Sequence, residues 1–231
     1  MVSDSLDHQK YAYTGSVTEV LDMHCDRLDQ AHPLERKIKF LLDVRGYIKV
    51  NNIVGSYVEF GSYKSEMQYC AFKVLEKTGC VTRYVGMDTF EGEPSMSDVE
   101  SASMPFVSEG SFESTFEDVR DFVSENIGQK GVLIKGDFRQ KNVIKECLKH
   151  APISLAVVDC NLASSIETSF NFVAENIIPG GVIFVDDYYT NFGSGNAVVH
   201  DLLTEAIKSK GLKLIQHGFY PPFAKSYIIC K

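Results

Sequence analysis

None of the 231 residues lies in an apolar run long enough to cross a bilayer. The polar opening, MVSDSLDHQK, lacks the hydrophobic core of a signal peptide, so a cytoplasmic protein is expected. Lysine and arginine are nowhere clustered, and 23 of them stand against 31 Asp and Glu, a formal charge of −8. That balance argues against a nucleic-acid or anionic-membrane surface and leaves small molecules as the expected partners. A homo-oligomer is left open. The six cysteines (25, 70, 80, 147, 160 and 230) form no C-x-x-C pair and have no histidine in ligand spacing, which excludes a zinc signature. Cys70, Cys160 and Cys230 fall in apolar segments and read as small buried hydrophobes.

What is present is alternation. Residues 16 to 50 carry a helical pattern, with Val17, Val20, Leu21 and Leu28, then Ile38, Leu41, Leu42 and Arg45 after Pro33. Short apolar runs follow at 56–60, 83–88, 132–135, 153–159 and 182–187, separated by amphipathic stretches, and Pro179-Gly180-Gly181 reads as a turn that feeds the last of them. Met67, Cys70, Ala71, Val74 and Leu75 keep the helix period in the first of these. The stretch after Ala163 has Ser164 and Glu167 in capping-box spacing. Strands alternating with helices predict a doubly wound, mostly parallel α/β sheet. After a helix at about 196–210, LKLIQHGFY and KSYIIC, joined by PPFA, predict a terminal antiparallel hairpin. Residues 91–111 have no periodicity and read as a lid over the sheet edge.

Each strand ends in a polar group: Glu59 and Gly61 with Ser62 after the first, Asp88 after the second, Asp137 after the third, Asp159 after the fourth, Asp186 and Asp187 after the fifth. All would lie on the carboxyl edge, where open α/β sheets bind ligands. An acid at Asp88's position can accept both ribose hydroxyls of a nucleoside cofactor, which alone does not separate NAD from S-adenosylmethionine. The loop EFGSYKS lacks the glycines that let a pyrophosphate approach the backbone, which weighs against a nicotinamide-dependent oxidoreductase. A sulfonium cation and an ammonium group suit an acidic edge.

The strings YVEFGSYKS, GMDTFEGEP, VVDCNLASS and PGGVIFVDDY, in this order over about residues 54–190, resemble the class I S-adenosylmethionine methyltransferases of the macrocin O-methyltransferase type. The resemblance implies a seven-stranded Rossmann-like domain at 53–231, and the helical pattern before it marks residues 1–52 as an extension expected to shape the acceptor site. It implies methyl transfer to a hydroxyl of a sugar or aromatic small molecule. It implies cofactor contacts from Glu59, Gly61, Ser62, Asp88, Thr89, Phe90, Asp137, Phe138 and Asp159. It also implies Mg²⁺ or another divalent ion on Asp159, Asp186 and Asp187, with Asp159 and Asp187 serving catalysis. Three carboxylates with waters suit such a hard cation. One departure is Asn161, where the family often carries a second acid that is a candidate base; it keeps alive a methyltransferase-like domain that binds cofactor or a partner without turnover. His200, His217, Tyr188 and Tyr189 are further candidates near the fifth strand, with surface, capping or packing roles weighed against them.

Overall fold

The structure, a computed structural model, describes residues 34–96, 107–190 and 196–231. Two compact units divide the chain, residues 1–35 and 36–231, and nearly all the described residues belong to the second. In chain order the elements are α1 (Leu34–Val50), β1 (Gly55–Phe60), α2 (Glu66–Leu75), β2 (Val81–Asp88), α3 (Phe116–Asn126), β3 (Gly131–Lys135), α4 (Lys141–Cys147), β4 (Ile153–Val158), α5 (Ala163–Asn176), β5 (Ile177–Val185), α6 (Val198–Ser209), β6 (Lys213–Tyr220) and β7 (Ala224–Cys230). Among the described residues no helix is long and apolar enough to cross a membrane.

The strands form one sheet in the order β3-β2-β1-β4-β5-β7-β6. The first five run parallel, because each crossover carries the chain back over the sheet before the next strand begins. β7 inserts between β5 and β6 and is antiparallel to both, the hairpin expected from the sequence. Strands β1 and β4 are buried throughout, as central parallel strands are, and they take the polar Ser56, Glu59 and Ser154 into the interior with their apolar residues. Strand order reverses between β1 and β4, so the crevice beyond their carboxyl ends is the topological switch point.

Several local expectations are corrected. Pro179-Gly180-Gly181, read as a turn, lies inside β5, and the β4–β5 register shifts across it between Ile153 and Leu155. Gly180 takes φ +83°, a conformation that lets the strand kink without ending. No capping box forms at Ser164: α5 begins at Ala163 after Leu162, and the Ser164 hydroxyl instead accepts a bond from Arg139 at 3.3 Å. The buried face of α1 is Lys37, Phe40, Leu41, Val44 and Ile48, so Leu42 and Arg45 turn outward. Helical pattern expected at 16–33 lies outside the described residues, as does the centre of the expected lid, 97–106.

That α1 face fixes where the helix sits. Phe40 stacks 4.6 Å from Phe184 of β5 and 5.7 Å from Tyr220 of β6. Tyr47, two turns on, donates its hydroxyl to the Gly180 carbonyl at 2.9 Å. Aromatic anchoring at one end and a hydrogen bond at the other lay α1 along β5, with its first turn at the strand's carboxyl end. Arg36 and Lys37, one turn before Phe40, are thereby delivered to the edge where the acids stand.

Candidate functional site

Two clusters of acids occupy the carboxyl edge. The first surrounds the β1–α2 loop. Gly61, with φ +86°, lies so close to β4 that an added Cβ would stand 2.3 Å from the Asp159 carbonyl oxygen. Asp159 in turn donates its backbone N–H to the Phe60 carbonyl at 2.9 Å. Gly61 therefore lets the ends of β1 and β4 meet at the switch point. Beyond it Tyr63 and Ser65 also take positive φ, 47° and 59°, which for residues with a Cβ costs roughly 1–2 kcal/mol each. Ser65 precedes α2 without a side-chain cap, and the buried hydroxyls of Ser62 and Ser65 have no partner among the described residues. Ser62 is packed against β2, where a Cβ at Gly86 would lie 3.0 Å from its Oγ.

Asp88 ties the loops together. Its Oδ2 accepts the Tyr63 backbone N–H and its Oδ1 that of Phe90, both at 2.8 Å. Burial raises its carboxyl, and these two bonds oppose the rise. Thr89 donates its hydroxyl to the Gly92 carbonyl at 2.9 Å, and the Phe90 ring is buried 5.1 Å from Phe116. Asp137 is taken up by Arg139, whose backbone N–H and guanidinium both bond it and hold its carboxyl low against burial. Phe138 is a core residue, edge-on to Phe60 at 5.5 Å. Glu59, only 1% exposed, accepts the Tyr57 hydroxyl at 2.8 Å, and burial pushes it up to about 8 despite Lys37 and that bond.

The second cluster is at β4 and β5. Oxygens of Asp159, Asp186 and Asp187 lie within 4.8 Å of one another. Adjacent parallel strands cause this, since Val158 pairs with Val185 and the acids follow directly. Two cations from α1 meet them. Arg36 Nε and Nη2 bond the two oxygens of Asp186 at 2.7 and 2.8 Å, a bidentate pair. The Lys37 ammonium donates to Asp159 Oδ2 and stands 3.4 Å from Asp186 Oδ2. Burial acts to raise Asp186, but Arg36 and Lys37 hold it below the ordinary carboxylate range. Burial pushes Asp159 well up against the pull of Lys37, and the charge on Asp186 adds to the push. Lys37 stays charged: burial disfavours its ammonium, but Asp159 and Asp186 outweigh that. Asp187, raised by burial and by Asp186, accepts the Thr190 hydroxyl at 3.1 Å.

This seven-strand order, with a reversed last hairpin and acids along the switch-point edge, matches solved structures. The O-methyltransferase NovP superposes with TM-score 0.65 at 15% identity, over 85% of this chain and 80% of NovP. CalS11, the calicheamicin methyltransferase, gives 0.59 at 20% identity over 99% and 98% of the two chains. The chain has the class I methyltransferase fold. An O-methyltransferase from Bacillus cereus in complex with SAH gives 0.51 at 14% identity over 93% and 90%. No protein-family model and no curated protein matches the chain.

On this methyltransferase fold some side chains were invisible to sequence reasoning. Arg36 and Lys37 are 150 and 122 positions from the acids they bind, so no local pattern links them. A signal did exist: Lys37 lies on the apolar face of α1, where a charge requires a buried partner. Glu93 is a second missed residue. It accepts the Asn161 amide, and its backbone bonds Ser111 and Gly110 at 2.8 and 3.0 Å, drawing the two ends of the 91–111 segment together. His200 is exposed on α6 with Nδ1 2.5 Å from the Tyr188 hydroxyl, which the Tyr227 hydroxyl also reaches at 2.6 Å. His217 pairs with the Ser226 hydroxyl at 2.9 Å in the terminal hairpin.

Proposed function

We propose that the chain transfers a methyl group from S-adenosylmethionine to a hydroxyl of a small molecule. The observation that carries the reading is Asp88 at the end of β2, joined by both oxygens to the loops that flank the switch point. A carboxylate has about four lone-pair sites, of which the Tyr63 and Phe90 N–H groups take two, and a ribose hydroxyl would share the remainder with Thr89. The uncapped start of α2 offers first-turn N–H groups to the cofactor's carboxylate, and the strained Ser62–Ser65 loop, with two buried hydroxyls that have no partner among the described residues, suits a segment held for ligand binding. Glu59 is proposed to face the cofactor's ammonium, with Thr89, Phe90, Asp137 and Phe138 on the ribose and adenine side. When bound, the cofactor supplies an electrophilic methyl on a sulfonium, already a good leaving group.

The chain's own work is then orientation and charge. Asp187 is the acid of the second cluster that neither Arg36 nor Lys37 bonds, which supports it as the group that takes the acceptor's proton. Within the extension, α1 is proposed to shape the acceptor side, because it brings Arg36 and Lys37 there. Cytoplasmic work on a sugar or aromatic intermediate fits this reading.

A second reading adds a divalent ion on Asp159, Asp186 and Asp187, and the three carboxylates within 4.8 Å favour it. As arranged, they do not fit one: Arg36 takes both oxygens of Asp186, and the Lys37 ammonium lies against Asp159 and Asp186. The reading that needs no ion is therefore preferred. Calorimetric titration with S-adenosylhomocysteine tests the core proposal; one site per chain is expected, and no heat with a folded protein would remove the cofactor.

A further inference from the structure

We infer that Lys37 and Arg36 fill the seat of a divalent ion, so that transfer at this site is metal-independent and residue 37 decides that independence. Charge balance is the first observation behind this. Asp159, Asp186 and Asp187 carry three negative charges when ionised, and Arg36 with Lys37 supplies two positive ones, the same sum one divalent ion would bring. An ion added to this set would face two cations within a few ångströms, with little water between them to screen the repulsion.

Geometry is the second. A Mg²⁺ ion demands oxygens at about 2.0–2.1 Å in octahedral array. The point that reaches both Asp159 and Asp186 is where the Lys37 ammonium stands, bonded to Asp159 and 3.4 Å from Asp186. Asp186 has each of its oxygens in a charge-assisted bond with the Arg36 fork. Lys37 is not a surface side chain that happens to reach inward: it is 9% exposed and shares the apolar face of α1 with Phe40, Leu41 and Val44. Since Phe40 is pinned between Phe184 and Tyr220, withdrawal of the ammonium would require the helix to unseat or the lysine to abandon two acids.

The inference rests on the methyl-transfer reading only for its consequence in turnover, so its test uses the metal alone. Manganese binding is followed by electron paramagnetic resonance with the full chain, for wild type, Lys37→Met and Lys37→Gln. Each protein is first titrated with S-adenosylhomocysteine, which reports separately on the cofactor site and on folding. Wild type is expected to take up no stoichiometric Mn²⁺ at micromolar concentrations. Removal of the ammonium is expected to create one site per chain, at least a hundredfold tighter than any in wild type, because the Arg36 side chain, 22% exposed, has solvent to turn to when an ion claims Asp186 and the buried ammonium has none. One tight site in wild type would overturn the inference. So would the absence of binding in both lysine variants with their cofactor heats intact, because the ammonium would then not be what keeps the ion out.

Discussion

Substituting Glu59 by Gln should flatten the dependence of stability on pH. Glu59 lies at the carboxyl end of the central strand β1, 1% exposed, and burial carries its carboxyl from an ordinary 4.5 to about 8. Below pH 4.5 the folded and unfolded chains both hold the proton, and its full contribution to stability is present. Between 4.5 and 8 the folded chain keeps a proton that the unfolded chain has released, so stability falls as pH rises. The slope is about 1.4 kcal/mol per pH unit and the whole loss about 5 kcal/mol. Against a total stability of about 5–15 kcal/mol this is large, and for a domain of this size it corresponds to a fall of roughly 10–20 °C in melting temperature. Asp88, Glu93, Asp159 and Asp187 are also raised by burial and slope the same way, so the comparison with the variant isolates Glu59. Gln is nearly isosteric, does not titrate and can still accept the Tyr57 hydroxyl. Urea midpoints at pH 5, 6, 7 and 8 should fall more steeply for wild type than for Glu59→Gln. Parallel curves would show that Glu59 ionises normally inside the sheet and would refute the reasoning.

Two further outcomes follow from the same edge. Gly61→Ala puts a Cβ against the Asp159 carbonyl at a positive φ, and should lower stability by about 3 kcal/mol in chemical denaturation. Asp88→Ala removes the acceptor of two backbone N–H groups along with the proposed ribose contact, and should weaken S-adenosylhomocysteine by about 2–4 kcal/mol in titration calorimetry, with unchanged affinity removing Asp88 from the site.

The sheet was legible because each parallel strand is a short, mostly apolar run ending in a polar residue, and the hairpin because two such runs flank a proline turn. Period and turn chemistry are local properties. Pro179-Gly180-Gly181 misled for a related reason: the same residues that make a turn also make a kink inside a strand, and only pairing with β4 distinguishes them. Ser164 has the spacing of a cap, yet α5 starts one residue earlier and leaves it within the first turn. The acids at the strand ends were visible one by one, and the strand order brought Asp159 beside Asp186 and Asp187. What neutralises them was not visible, since Arg36 and Lys37 reach the acids only once Phe40 has docked α1 on β5. Asn161 looked like a lost acid in sequence; in the fold Glu93 lies against it from a loop 68 positions away.

The central claim is that the crevice at the β1–β4 switch point holds S-adenosylmethionine. Titration calorimetry of the wild-type chain with S-adenosylhomocysteine at neutral pH, run with and without chelator, tests it most directly. The account predicts one site per chain with a dissociation constant in the micromolar range, about −8 kcal/mol, unchanged by the chelator. No binding to a folded chain would contradict it.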